Sequence, residues 1–322
     1  MRKPVLATLC VALASALALS SCMKGKSSRS PEARAGSPRK LSVVCTNFPC
    51  YDFARQVVGQ EAEVRMLLRP GAESHSYEPS PSDIITIQNC DLFVFVGGDS
   101  DEWVGDILSS MDLSHMALFK LMDQVQTVEE ELSEGMESEE DDDEAEVEMD
   151  EHVWTSPSNA MTIVENLAEV IASLDPEHAR AYQRNAASYI ARIQKVDDDF
   201  HKVVAEGKRR EIIVADRFPF RYFCDEFGLS YYAAFPGCST KVQPSAKTVV
   251  FLTRKVEEEG IPVVFYIELS NERMADAVAE STGVRTMLLH AVHNVSDSDF
   301  QSGASYVSLM EGNVVALREA LN

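Results

Sequence analysis

Several motifs that mark common enzyme classes are missing from this chain of 322 residues. The sequence contains no GxSxG, HExxH or GxGxxG pattern and no phosphate-binding P-loop. The enzyme classes that these motifs define therefore have no support. No CxxC pair occurs either, which argues against cysteine-rich zinc chemistry.

Positive charge is scarce. The chain has 29 Lys and Arg residues against 52 Asp and Glu residues, a net charge of −23. Because phosphate binding needs clustered Lys and Arg, a general nucleic-acid binder is not expected. The excess of negative charge is concentrated in one segment, since residues 129–151 hold 15 acids and no base. We expect this run to be a mobile loop that attracts cations weakly, and its role is left open.

The N-terminal apolar run is too short for a comfortable membrane span, which needs ~20 residues. It covers residues 5–19, follows Arg2 and Lys3, and ends in Leu19-Ser20-Ser21-Cys22, which resembles a bacterial lipobox. We predict a signal peptide over residues 1–21, a lipid on Cys22 and a tether over residues 22–40. An ordinary secretory signal cut near Ser21 is the alternative. Either type of signal peptide would export the protein.

The cysteine count is odd after signal removal and acylation of Cys22. The remaining cysteines are Cys45, Cys50, Cys90, Cys224 and Cys238. They cannot all pair within one chain, although one disulfide is allowed outside the cytosol. Their pairing stays open.

Short β-rich runs alternate with helical patterns in two blocks. The first block has strands at 41–46, 62–68 and 91–96 and helices at 50–58, 82–88 and 102–111. The second has strands at 211–216, 229–233, 262–267 and 285–289 and helices at 245–259 and 271–281. Continuous apolar strands such as VVFYI indicate sheets buried on both faces, and alternation with helices indicates parallel βα units. The pattern predicts an α/β protein with two (β/α) lobes.

A long helical pattern lies between the blocks. It begins after Asp175-Pro176 and covers residues 177–204 without Pro or Gly. A helix of ~28 residues would be about 40 Å long, enough to bridge both lobes. We therefore predict an N-terminal lobe over 41–174, an interlobe helix over 175–207 and a C-terminal lobe over 208–322, which ends in a helix at 306–321.

Candidate metal ligands follow the predicted strands. In parallel sheets, ligands bind beyond the carboxyl ends of the strands. His75, Asp216, Glu268 and His290 all lie at such ends, and two facing lobes would bring them to one cleft. Imidazole and carboxylate groups at a shared cleft suit a divalent transition metal.

Ordered motifs over residues 40–322 give a family resemblance. HSYEPSPSD begins at His75 and HVWTSPSNA at His152, and SLDPEHARAYQRNAASY, AESTGVRTMLLH and YVSLMEGNVVALREAL follow. The chain resembles the metal-binding receptors of bacterial ABC importers for zinc and manganese, the bacterial solute-binding protein 9 family. This resemblance implies two parallel-sheet lobes joined by a rigid helix, with the metal between them. It also implies that His75 and His152 are ligands.

The chain departs from the family pattern at the third ligand. The family usually has His or Glu there, in a pattern like H-x-A-F-x-Y-F, whereas this chain has Arg217. A guanidinium has no lone pair to offer, so the adjacent Asp216 is the nearest substitute. Glu268 is expected to be the charge partner of Arg217, with a ligand role as the alternative.

The last ligand also differs. The family's usual Asp aligns with His290, and His293 is an extra ligand candidate or a supporting group. The predicted site is therefore His75, His152, His290 and Asp216. Three imidazoles and one carboxylate favour zinc, with manganese as the alternative.

The resulting functional hypothesis is a monomeric receptor, not an enzyme. It would capture a divalent metal outside the cytoplasmic membrane and deliver it to an ABC permease and its ATPase. One alternative is a surface adhesin of the same fold. The other is a metallohydrolase that uses the same ligands with Glu268 as base.

Overall fold

The computed structural model describes residues 39–136, 148–238 and 245–322. The predicted signal peptide and Cys22 lie outside these ranges, as do residues 137–147 of the acidic run. Within the described ranges, no helix has both the length and the apolar character needed to cross a membrane. The five cysteines there are free thiols, of which only Cys238 is not fully buried.

The first sheet has four parallel strands in the order β2-β1-β3-β4. They are β1 (Ser42–Cys45), β2 (Glu63–Met66), β3 (Leu92–Phe95) and β4 (Ala117–Lys120). The helices of this lobe are α1 (Phe48–Val58), α2 (Pro81–Gln88) and α3 (Glu102–Ser109). Strand β4 was not predicted, because it is only partly buried and its apolar run, residues 116–119, is short.

Two long helices follow the first lobe, α4 (Pro157–Leu174) and α5 (Ala179–Glu206). Helix α4 was not predicted, although Ser156 caps it by accepting from the Asn159 amide and Pro157 begins its first turn. The prediction of a 28-residue helix is confirmed for α5. The exact lobe boundaries stay a prediction.

The second sheet is also parallel, in the order β6-β5-β7-β8. Its strands are β5 (Glu211–Phe218), β6 (Ser230–Pro236), β7 (Val263–Tyr266) and β8 (Arg285–Leu288). Its helices are α6 (Arg221–Phe227), α7 (Ala246–Glu259), α8 (Arg273–Thr282), α9 (Asp297–Ser302) and α10 (Tyr306–Leu321). The predicted α/β fold with two parallel-sheet lobes is confirmed.

One apolar core continues from the first lobe to the second. Val94 of β3, Phe200 of α5 and Phe265 of β7 all belong to the same buried cluster. Helix α5 packs against α1 and α4 as well as against α10, which lies on the second sheet. Because burial of apolar surface dominates folding, this shared core holds the carboxyl ends of both sheets in a fixed relation.

The described ends of the acidic run, residues 129–136 and 148–151, make specific contacts with the rest of the chain that the prediction of a mobile loop did not include. Glu129 bridges Met149 in antiparallel fashion, and the Asp150 amide donates to the Val128 carbonyl at 2.9 Å. Asp150 and Glu151 are buried. Nothing in the composition of the run distinguished these two acids from the exposed ones.

Candidate metal site

Four side chains of metal-binding type meet in one buried group: His75, Glu151, His152 and His293. One potential ligand atom from each lies within 4.8 Å of the others. The ring centroids of His152 and His293 are 4.6 Å apart, and the His75 ring lies 5.4 Å from His293. Three imidazoles and a carboxylate form a donor set that suits tetrahedral zinc.

Two imidazole nitrogens in this group lack partners within the described chain. Nε2 of His152 and Nε2 of His293 are buried without a hydrogen bond. The opposite nitrogens face carboxylates, because Nδ1 of His152 lies 2.9 Å from Asp150 Oδ1 and Nδ1 of His293 lies 3.6 Å from Glu268 Oε1. A carboxylate behind an imidazole is the usual arrangement around a metal-binding histidine, since it fixes the ring and the tautomer. Both Nε2 lone pairs therefore fit a metal.

Glu151 is held in place by Ser100. The Ser100 amide donates to Oε2 at 3.0 Å and its hydroxyl donates to Oε1 at 2.7 Å. Oε1 lies 3.9 Å from Nδ1 of His75. A Cβ atom at Gly98 would lie only 2.3 Å from the Glu151 Cβ, so glycine makes room for this side chain. Glu151 is not among the ligands predicted from the sequence, because it is one of 15 acids in a run predicted to be mobile.

The pKa values of the three imidazoles are shifted in different directions. Burial, the nearby His293 and His152 charges and Arg217 lower the pKa of His75. Burial also lowers the pKa of His293, although Glu268 opposes this. For His152 burial acts in the same direction, but the Asp150 carboxylate outweighs it and raises the pKa. The lowered pKa values of His75 and His293 favour the neutral form that binds metal, whereas the raised pKa of His152 makes metal binding there compete with protonation.

The structure brings together two of the four predicted ligands, His75 and His152. His290 lies outside the four-residue group, because its Nδ1 accepts from the Val292 amide at 2.9 Å and points into its own turn. His293, the extra candidate, belongs to the four-residue group.

Asp216 also lies outside the group. Its Oδ1 accepts from the Arg217 amide at 2.9 Å, and burial raises its pKa. The carboxylate in the group is that of Glu151.

The prediction that Arg217 forms an ion pair with Glu268 is wrong. The Arg217 guanidinium donates to both carboxylate oxygens of Glu73, at 3.0 and 2.9 Å. Glu268 accepts from the backbone amides of Ala291 and His293. Burial opposes its charged form, but His290, His293 and these amides lower its pKa to about 2. Glu268 is therefore an ionised carboxylate directly behind the site.

Two parallel sheets, a long helix packed against both lobes and an imidazole-rich cluster define the class of two-lobed metal-binding solute-binding proteins. The chain belongs to the family described as ZnuA, zinc-uptake complex component A, periplasmic, whose model matches residues 43–320. The resemblance inferred from the sequence motifs is thereby confirmed.

Curated relatives and a solved structure agree with this assignment. The zinc-binding lipoprotein AdcA of Streptococcus pneumoniae strain R6 is 30% identical over 284 residues, which cover 87% of this chain and 56% of AdcA. The chain thus spans about half the length of that relative. The high-affinity zinc uptake system protein ZnuA of Bacillus subtilis is 30% identical over 88% of both chains. The crystal structure of the Zn(II)-bound ZnuA-like domain of S. pneumoniae AdcA has a TM-score of 0.73 and 28% identity, covering 88% of this chain and 99% of that one.

Proposed function

We propose that this protein is the extracytoplasmic receptor of an ABC importer and that it captures zinc at His75, His152, His293 and Glu151. The observation that carries the proposal is a buried group in which one potential ligand atom from each of four residues lies within 4.8 Å of the others, and in which two Nε2 atoms have no partner among the described residues. Three nitrogen donors and one oxygen favour zinc over manganese, which prefers more oxygen ligands. Zinc in the names of the curated relatives supports the same cargo.

The same proposal includes the location and the partners. The lipobox-like Cys22 would carry a lipid that anchors the protein outside the cytoplasmic membrane, and residues 22–40 would be the tether. The receptor would act as a monomer and hand its metal to a permease and its ATPase. The name of the B. subtilis relative, an uptake-system protein, supports this partnership.

Capture needs no covalent chemistry. The metal would bind lone pairs of the three imidazoles, so binding competes with protonation, most of all at His152, where the Asp150 carboxylate raises the pKa. Release requires the permease to favour an arrangement that binds metal more weakly, because a partner shifts an equilibrium only through differential affinity.

The two alternative functions are less well supported. The curated relatives reported above are named for zinc binding or uptake, which does not favour the adhesin. The metallohydrolase needs a free general base, and Glu268 was the candidate. Both oxygens of Glu268 accept backbone hydrogen bonds, at 2.7 and 2.9 Å, and its pKa is lowered to about 2, so this carboxylate is a weak base.

Single substitutions test the site. We expect His75→Ala, His152→Ala and His293→Ala each to weaken zinc binding by at least tenfold, since each removes one of four ligands. Equilibrium competition with a chelator measures the affinity. Asp216→Asn is the control, and we expect it to stay within about threefold of wild type. Wild-type affinity in all three histidine variants would remove the proposed site.

The cargo and the transport role need a separate test. Elemental analysis of the protein purified from its native envelope should find zinc in near-stoichiometric amount. A strain that lacks the receptor should take up less zinc, and the wild-type chain, but not His152→Ala, should restore uptake. Native protein loaded with manganese would contradict the proposed cargo.

A further inference from the structure

The residue before His293 has an unusual backbone. Val292 has a φ of 65°, in the left-handed region, and its side chain is fully buried. A β-branched residue rarely adopts this conformation, because its side chain crowds the backbone there. The conformation therefore persists only if surrounding contacts hold it.

Two side chains hold the three successive amides of this turn. Glu268 accepts from the Ala291 amide with Oε2 at 2.7 Å and from the His293 amide with Oε1 at 2.9 Å. The amide between them, that of Val292, donates to Nδ1 of His290 at 2.9 Å. Glu268 thus accepts hydrogen bonds from the amides on both sides of Val292.

Neighbouring elements fix the rest of the turn. Asn313 of α10 binds both backbone groups of His290, at 2.7 and 2.8 Å. The indole N–H of Trp154, two residues after His152, donates to the Ala291 carbonyl at 2.8 Å. The Phe48 amide, at the start of α1, donates to the His293 carbonyl at 3.2 Å. Groups from both lobes therefore form hydrogen bonds with the turn, and Glu268 accepts two of them.

We propose that Glu268 is a positioning residue for metal capture: it holds the 290–293 turn in its left-handed form so that Nε2 of His293 faces the other ligands. The inference rests on the proposed function. Glu268 lies on the Nδ1 side of His293, opposite the unpartnered Nε2, and both of its oxygens already accept hydrogen bonds. It therefore acts through His293 rather than as a ligand.

Glu268→Gln tests this role, because it keeps the size of the side chain but offers only one acceptor oxygen to the two amides. We expect zinc affinity to fall at least tenfold. At saturation, Co(II) should still give the absorption of a four-coordinate site, since no ligand is lost. In the metal-free variant, the amides of Ala291 and His293 should exchange with solvent at least tenfold faster. Glu268→Asp, with its shorter reach, should change all readouts in the same direction and replaces Glu268→Gln if that variant does not fold.

Asp52→Asn is the matched control. Asp52 is also a fully buried carboxylate, and it accepts hydrogen bonds from the Tyr306 amide at 2.9 Å and from the Tyr189 hydroxyl. We expect this variant to unfold at a lower temperature but to bind zinc within twofold of wild type. A loss of affinity at Asp52→Asn equal to that at Glu268→Gln would overturn the proposal, because Glu268 would then act only through general stability.

A second substitution separates positioning from ligation. Glycine adopts a φ of 65° without strain, so Val292→Gly in the Glu268→Gln background should recover at least threefold of the lost affinity. Absence of recovery, together with a changed Co(II) spectrum in Glu268→Gln, would make Glu268 a ligand and overturn the proposal. Weak zinc binding by the wild type would instead reject the proposed function itself.

Discussion

Arg217 and Glu73 form a two-pronged ion pair that ties β5 of the second sheet to the loop that carries His75. Nη1 of Arg217 lies 3.0 Å from Oε1 of Glu73, and Nη2 lies 2.9 Å from Oε2. Such paired hydrogen bonds are specific to arginine and carboxylate geometry. An arginine at a position where the family resemblance implies a ligand therefore joins the two lobes beside the metal site.

The strength of this pair can be measured with a double-mutant cycle. We expect Glu73→Gln, Arg217→Gln and the double variant to give a coupling energy of about 1 kcal/mol in urea unfolding of the metal-free protein. The value is modest because the Glu73 side chain is 40% exposed and water screens the charges. Strictly additive effects of the two substitutions would show that the pair does not stabilise the lobe contact.

Gly98→Ala should disturb the site through Glu151. The new Cβ would lie 2.3 Å from the Glu151 Cβ, so the carboxylate must move. We expect zinc affinity to fall at least fivefold in chelator competition. Gly98 has a φ of −99°, which any residue can adopt, so the clash alone accounts for the effect. Gly105→Ala is the control, since nothing lies within 4 Å of its Cβ position, and it should bind zinc normally.

Asp101 should make the metal-free protein less stable as the pH rises from about 4 to about 7. Burial, together with the charge of Glu151, raises the pKa of Asp101 to about 7. Between the two pKa values the native state holds a proton that the unfolded state has lost, so the free energy of unfolding falls as pH increases. The full difference is at most ~4 kcal/mol, at about 1.4 kcal/mol per pH unit.

Asp101→Asn isolates that effect. An amide oxygen can still accept from the Val96 and Gly97 amides, which now donate to Asp101 Oδ2 at 2.6 and 3.1 Å. We expect urea unfolding of the variant to lack the part of the pH dependence that Asp101 causes. Parallel stability curves for variant and wild type between pH 4 and pH 7 would contradict the raised pKa.

We expect the middle and the ordered base of the acidic run to contribute differently to zinc binding and stability. Deleting residues 137–147 should leave zinc affinity within about threefold, because that stretch contains no imidazole or thiol. Weak, salt-sensitive cation binding should fall.

The ordered base of the run should be more sensitive. The Tyr222 hydroxyl donates to the Asp150 carbonyl at 2.7 Å and accepts from the Val128 amide at 3.2 Å. Tyr222→Phe should therefore lower the free energy of unfolding by about 1–2 kcal/mol. A loss of tight zinc binding in the 137–147 deletion, with Tyr222→Phe unaffected, would show that the deleted stretch supplies a ligand.

Local patterns were sufficient for most of the fold. Continuous apolar runs gave β1, β3, β5 and β7, because a strand buried on both faces needs apolar side chains at every position. The uninterrupted pattern before β5 gave the long helix α5. By contrast, β4 was not predicted, because its apolar run, residues 116–119, is short.

The sequence by itself determined which segments carry the chemistry: the loop at His75, the HVW segment at His152 and the end of β8. Tertiary structure alone decided which residue of each segment joins the candidate metal site. His290 and His293 are three residues apart on one strand end, and only the left-handed turn at Val292, held by Glu268, directs His293 inward. The chain encodes this choice in contacts between residues far apart in sequence, which local periodicity does not register.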